Sequence, residues 1–342
     1  MSDYDDSGSD SFPSSPRSPA HPVACPYFPG AVFTAYRHEA PAPFGGYYSD
    51  CPFPDQNELQ QSSQLDWCIS HRPNPGTTFL EETCSLAIKS EIRTGIDCGT
   101  QLVLLENGLV AKIFDPMFYS HNDKEFVDLK VDVTTAADSD YATEAAAYSE
   151  LKMQPVQGDI MPAFYDSWTI KVTHYVGGEH ITRDVRLILI EYISGEQMLD
   201  IEPENLQSKV REQIMIKVIE ADYDLRYAGV CHQDLEPRNI MISLSPKHPM
   251  GFRLTLIDFG HSWVYRILFG GPPPNELRNP LFSWVGASLW SSYGWLPSSD
   301  EERDCGLWAI FGDGRDGKYV KVEKDPNCSL GRPLRHQHGS SL

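Results

Sequence analysis

Between positions 229 and 260 the chain reads GVCHQDLEPRNIMISL, then after a short connection FRLTLIDFG. Four polar residues, His232, Asp234, Asn239 and Asp258, are set in this order around two short apolar runs, IMISL and FRLTLI. Runs of that length bounded by turn residues read as strands. An isolated Asp-Phe-Gly arises often by chance. The four residues in this order, behind a helix and between short strands, do not assemble easily by accident.

The preceding segment supplies that helix. Residues 207–228 carry Val210, Ile214, Val218 and Ala221 as one apolar stripe and end at Gly229. Further upstream, SLAIKSEI, TQLVLLE and LVAKIF are β-type runs, the last two joined at Asn107-Gly108, a pair that accepts the positive φ of a type I′ turn. Helix formers follow over 140–154, ending before Pro155. Residues 163–175 and 184–193 then read as two more strands, the second a continuous apolar run. The order is five strands with one inserted helix, then mostly helix.

The 342 residues carry 28 basic and 48 acidic side chains, a net charge of −20, with no basic stripe. That excludes non-specific binding to nucleic acid or an anionic membrane, which needs a basic surface. The eight cysteines include no Cys-x-x-Cys pair, so neither a zinc site nor a disulfide framework is indicated. The start, MSDYDDSGSDSF, lacks the features of a secretory signal, and no long apolar run follows. A soluble protein of the cytoplasm or nucleus is expected. Residues 1–75 are rich in Ser, Pro, Gly and Asp, a composition expected to form a disordered tail, with Ser-Pro steps at Ser15 and Ser18 as candidate phosphorylation sites.

The spacing His-x-Asp-x-x-x-x-Asn followed by Asp-Phe-Gly resembles the catalytic loop and metal-binding tripeptide of the protein-kinase-like superfamily. The resemblance covers roughly residues 85–265. It implies an α+β, bilobal fold: residues 76–193 as a five-stranded antiparallel N-lobe with one helix, 194–325 as a shortened, mostly helical C-lobe, and 326–342 as a tail. It also implies ATP and Mg²⁺. Asp234 would accept the proton of the attacking hydroxyl, Asn239 and Asp258 would supply hard oxygens to the metal, and His232 would support the loop. Arg238 would reach a phosphate or form a surface ion pair. Lys112, in VAKIF, would grip the phosphates and pair with Glu144, with Glu150 as the alternative. Ile190 would guard the back of the adenine pocket, with Glu191 to Ile193 as the hinge.

The chain departs from the family pattern in several places. Where a Gly-x-Gly-x-x-Gly loop covers the phosphates in kinases, RTGIDCGTQ offers only Gly95 and Gly99. Gln233 replaces the arginine that receives an activation-loop phosphate, and no Ala-Pro-Glu signal follows Gly260. The tail carries Trp284, Trp290 and Trp295, expected to fill a small lobe's core. The layout resembles divergent fungal protein kinase domain proteins and shares a minimal lower lobe with aminoglycoside-phosphotransferase-like enzymes. The expected activity is transfer of a γ-phosphoryl group to a hydroxyl of a protein or small molecule. The rival reading is a pseudokinase scaffold.

Overall fold

The computed structural model describes residues 24–49, 51, 53–123, 129–176, 178–245, 250–273, 278–328 and 331–334. The elements run β1 (Val32–Glu39), α1 (Gln56–Gln61), α2 (Gln64–Ser70), β2 (Thr77–Arg93), β3 (Gln101–Leu105), β4 (Leu109–Phe114), α3 (Val133–Leu151), β5 (Phe164–Val176) and β6 (Glu179–Glu191). They continue with β7 (Glu196–Gln197), α4 (Ser208–Tyr227), β8 (Val230–Cys231), β9 (Ile240–Leu244), β10 (Phe252–Leu256) and β11 (Trp263–Val264). Among the described residues, helices α5 (Tyr265–Phe269), α6 (Leu281–Trp284), α7 (Leu289–Ser292) and α8 (Asp300–Phe311) follow. The molecule is α+β, dominated by one large antiparallel sheet.

That sheet has six strands rather than the expected five and closes on itself in the order β1-β2-β3-β4-β6-β5. The added strand comes from the segment expected to be a tail. β1 pairs with β2 on one side and, through Ala35↔Ile170 and Tyr36↔Thr169, with β5 on the other. The disordered reading of residues 1–75 is therefore corrected from residue 24 onward. A few large side chains anchor this polar segment: Tyr27, Leu59 and Trp67 are buried. Tyr27 Oη donates to Asp115 at 2.7 Å, and Trp67 Nε1 donates to Asp132, the N-cap of α3, at 2.8 Å. Apolar burial at scattered positions offsets the ordering cost that composition alone suggests is unmet. Ser15 and Ser18 lie outside the described residues.

Local differences have local causes. The β3–β4 connection is a three-residue loop in which only Gly108 takes a positive φ, 82°, so it is not the type I′ turn expected of Asn107-Gly108. Helix α3 starts at Val133, seven positions before the expected 140, because the Asp132 side chain accepts from Thr135 N at 3.0 Å. On α4, Ile214, Val218 and Ala221 are buried as expected, whereas Val210 in the first turn is 37% exposed. Trp284, Trp290 and Trp295 fill the core, the first two stacked at 5.6 Å. Residues 331–334, expected to belong to a tail, are tied back: Leu334 N donates to Glu323 O at 2.8 Å and Trp308 Nε1 to Gly331 O at 2.9 Å. All eight cysteines are unpaired thiols. No helix among the described residues is long and apolar enough to cross a membrane.

Candidate active site

Strand β4 carries Lys112 into the interior, where it is 5% exposed. A buried ammonium must find anions. Lys112 Nζ lies 2.5 Å from Glu144 Oε2 on α3 and 2.7 Å from Asp258 Oδ1, just past β10. Three distant parts of the chain thus meet at one cation. Glu150, the alternative partner, instead receives Arg266 Nη2 at 2.7 Å. Glu144 Oε1 also accepts from the amide of Phe259 at 3.3 Å, so one carboxylate ties α3 both to β4 and to the Asp-Phe-Gly segment.

The electrostatics follow from burial and contact. Lys112 beside Asp258 holds that carboxyl down at about 2, so it is ionised. Burial pushes Glu144 the other way, to about 7, against the opposing pull of Lys112. For Lys112, burial favours the neutral amine, but its two carboxylates overcome this and raise the group above its ordinary value. Asp258 takes a left-handed φ of 67°, which aspartate tolerates better than most residues, and Phe259 is fully buried against Tyr148 and His232, with ring centroids 5.2 and 4.9 Å away.

The loop after β8 is built around Asp234. Asn239 Nδ2 donates to Asp234 Oδ2 and to its backbone carbonyl, both at 2.8 Å, and Arg238 Nη2 reaches both carboxylate oxygens, at 2.8 and 3.0 Å. Arg238 also pairs with Glu236. Of the two readings of Arg238, the structure realises the ion pair, and one of its two partners is Asp234 itself. His232 is fully buried, bonds the Ile257 carbonyl through Nε2 at 2.9 Å, and so joins the loop to the residue before Asp258. Burial lowers its pKa. Its neighbour Gln233 sits at φ 61°, a strained conformation for an ordinary residue.

Two expected groups behave differently from the expectation. Gly95 and Gly99 both have positive φ, at 123° and 67°, but their amides are already committed. Gly95 N donates to Gln101 Oε1 at 2.6 Å, and Gly99 N donates to the carbonyl of Phe118 at 3.0 Å. Gln101, fully buried, returns Nε2 to the carbonyls of both glycines at 3.1 and 2.8 Å. In this geometry both glycine amides are bonded within the protein rather than turned toward a phosphate. The Glu191 side chain is likewise engaged, receiving Arg253 at 2.6 and 3.0 Å, while its amide donates to Ala163 O at 2.8 Å. Sheet pairing ends at Glu191, and half-buried Ile193 follows outside it. Gln101 and Arg253 were not singled out from sequence, since each acts only through tertiary contacts.

No family model matches the chain. Among solved structures it is similar to the kinase PK-1 of Cydia pomonella granulovirus, with 16% identity and a TM-score of 0.29 over 48% of each chain. The chain spans about half the length of that kinase, and function is read from the site geometry instead.

Proposed function

We propose that the protein is an ATP- and magnesium-dependent phosphotransferase with a bilobal, protein-kinase-like architecture, acting on a hydroxyl of a protein or a small molecule. The observation that carries this reading is the convergence of β4, α3 and the Asp-Phe-Gly segment on Lys112, with Asp234 oriented nearby in the chain by Asn239. In this reading Lys112 neutralises the α- and β-phosphates, held in place by Glu144. Asp234 accepts the proton as the acceptor oxygen bonds to the γ-phosphorus and the bond to the departing ADP oxygen breaks. The backbone carbonyl of Glu191 and the amide of Ile193 would meet the adenine.

The donor set suits magnesium. Asp258 is ionised with its side chain 42% exposed, and Asn239 spends its amide nitrogen on Asp234, leaving its oxygen for a hard cation. No group of three or more His, Cys, Asp or Glu among the described residues could hold a metal by itself. Magnesium, when bound, would supply charge neutralisation to the phosphates.

One observation favours a second reading, a nucleotide-binding pseudokinase: the glycine amides that would cover the phosphates are consumed within the protein. The two readings separate in a transfer assay with γ-labelled ATP and Mg²⁺ over protein and metabolite pools. The enzyme reading predicts label transfer that falls at least about a hundredfold in Asp234→Asn. Nucleotide binding without transfer to any acceptor supports the pseudokinase.

A further inference from the structure

The strand that follows the Asp-Phe-Gly segment, β11, pairs with β8 along one edge, through Trp263↔Cys231 and Val264↔Val230. Its other edge has no strand partner among the described residues. There a half-buried side chain from the N-terminal segment stands in for a strand: Tyr48 Oη donates to Ser262 O and accepts from Val264 N, both at 2.8 Å. Beside it the exposed Tyr47 ring meets Trp263 edge-on, with centroids 4.5 Å apart. A turn holds the segment in shape, Gly45 N donating to Ser49 O at 2.9 Å and Tyr48 N to Gly45 O at 3.0 Å. Ser139 Oγ, on the helix that carries Glu144, ties it down by donating to Phe44 O at 2.8 Å.

Ser262 carries the contact toward the site. Fully buried, it meets Tyr48 at its carbonyl, donates its amide to Phe259 O at 3.0 Å and its hydroxyl to His232 O at 3.4 Å. The left-handed φ of Asp258, 67°, is a conformation that persists where the surroundings over-determine it. Lys112 on the Asp258 carboxylate and Glu144 on the Phe259 amide are two of those restraints. The exit of the segment is a third, and one phenolic hydroxyl closes it. Gln233 stands where the resemblance places the arginine that receives an activation-loop phosphate, so a constant contact in this chain supplies the ordering that a phosphate supplies elsewhere.

We propose that Tyr48 is a positioning residue: through Ser262 it fixes the chain leaving the Asp-Phe-Gly segment and so keeps the Asp258 carboxylate in place for the metal. The metal half of this statement rests on the phosphotransferase reading; the positioning half does not.

The test is Tyr48→Phe in the full chain, which removes one oxygen, read by residue-level amide exchange and by the Mg²⁺ dependence of label transfer from γ-labelled ATP. Exchange at Val264, which loses its partner, and at Phe259, whose own partner Glu144 is intact, should both quicken at least about fivefold. The Mg²⁺ concentration for half-maximal transfer should rise by about the same factor. Tyr27→Phe removes another hydroxyl bond of the N-terminal segment, the one to Asp115, and should leave the Phe259 exchange and the Mg²⁺ requirement unchanged, which separates positioning from general loss of stability. Unchanged exchange at Phe259 in Tyr48→Phe, or equal acceleration there in Tyr27→Phe, overturns the proposal. So does an unchanged Mg²⁺ requirement in Tyr48→Phe where the wild type transfers label. A wild type that transfers no label counts against the phosphotransferase reading, and exchange at Phe259 then decides the positioning by itself.

Discussion

Arg238 sets one nitrogen, Nη2, on both carboxylate oxygens of Asp234, at 2.8 and 3.0 Å. Together with Asn239 it holds Asp234 in one orientation. Arg238→Ala is therefore expected to lower kcat about tenfold while leaving the KM for ATP unchanged, with Arg238→Lys restoring part of the loss. One such charge-assisted bond, in a side chain 48% exposed, is worth about the 1.4 kcal/mol that a tenfold change represents. Steady-state kinetics of the three proteins check this, and a rise in KM alone would show that Arg238 binds nucleotide instead.

The commitment of the Gly99 amide to Phe118 O sets a second expectation. Gly99 has a φ of 67° and open space where a Cβ would go, so Gly99→Ala should cost about 1–2 kcal/mol from backbone strain alone. Nucleotide affinity should change less than about threefold if that amide stays bonded to Phe118 O when nucleotide binds. Urea unfolding and nucleotide titration of the same variant separate the two effects.

His38 links β1 to α3 and to the segment before β2: its Nδ1 meets Tyr141 Oη at 2.6 Å and its Nε2 meets Pro75 O at 2.9 Å. Burial, reinforced by Arg186, lowers its pKa to about 4 from 6.5. The unfolded chain then takes up a proton below pH 6.5 that the folded chain refuses until about pH 4. Stability is thus lost as pH falls across that window, by about 3 kcal/mol at most. Urea unfolding between pH 7 and 4.5 should show a steeper loss in the wild type than in His38→Gln, and parallel curves would refute the assignment.

If the segment before β2 is structural rather than a tail, Trp67, 1% exposed and bonded to the N-cap of α3, is one of its principal anchors. Trp67→Ala is expected to cost about 3–5 kcal/mol in urea unfolding. A change below about 0.5 kcal/mol would be the surface result and would return the segment to the status of a tail.

Much of the candidate centre is readable from residue types. Lys112 inside VAKIF demands an acid, α3 offers Glu144, and the spacing of His232, Asp234, Asn239 and Asp258 marks the loop and the strand end. The barrel's closure is not readable. VFTAYRHE has only Ala35 and His38 buried, so it lacks the strict alternation of a half-buried strand, and its partner β5 lies more than a hundred residues away. The fate of the glycine amides was hidden for a similar reason, since it depends on where Gln101 and Phe118 fold to, not on the RTGIDCGTQ run itself. Arg238 was visible as a cation, but its choice of Asp234 over a phosphate emerges only from the three-dimensional loop.

The most direct test of the Lys112, Glu144 and Asp258 cluster as a nucleotide site is thermal unfolding with ATP and Mg²⁺, with an EDTA arm. At a hundredfold excess over Kd a ligand adds about 2.7 kcal/mol, so Tm should rise by roughly 4 °C in the wild type. The rise should vanish in Lys112→Met and shrink in Asp258→Asn or with EDTA. No rise in the wild type, or an equal rise in Lys112→Met, would contradict the account.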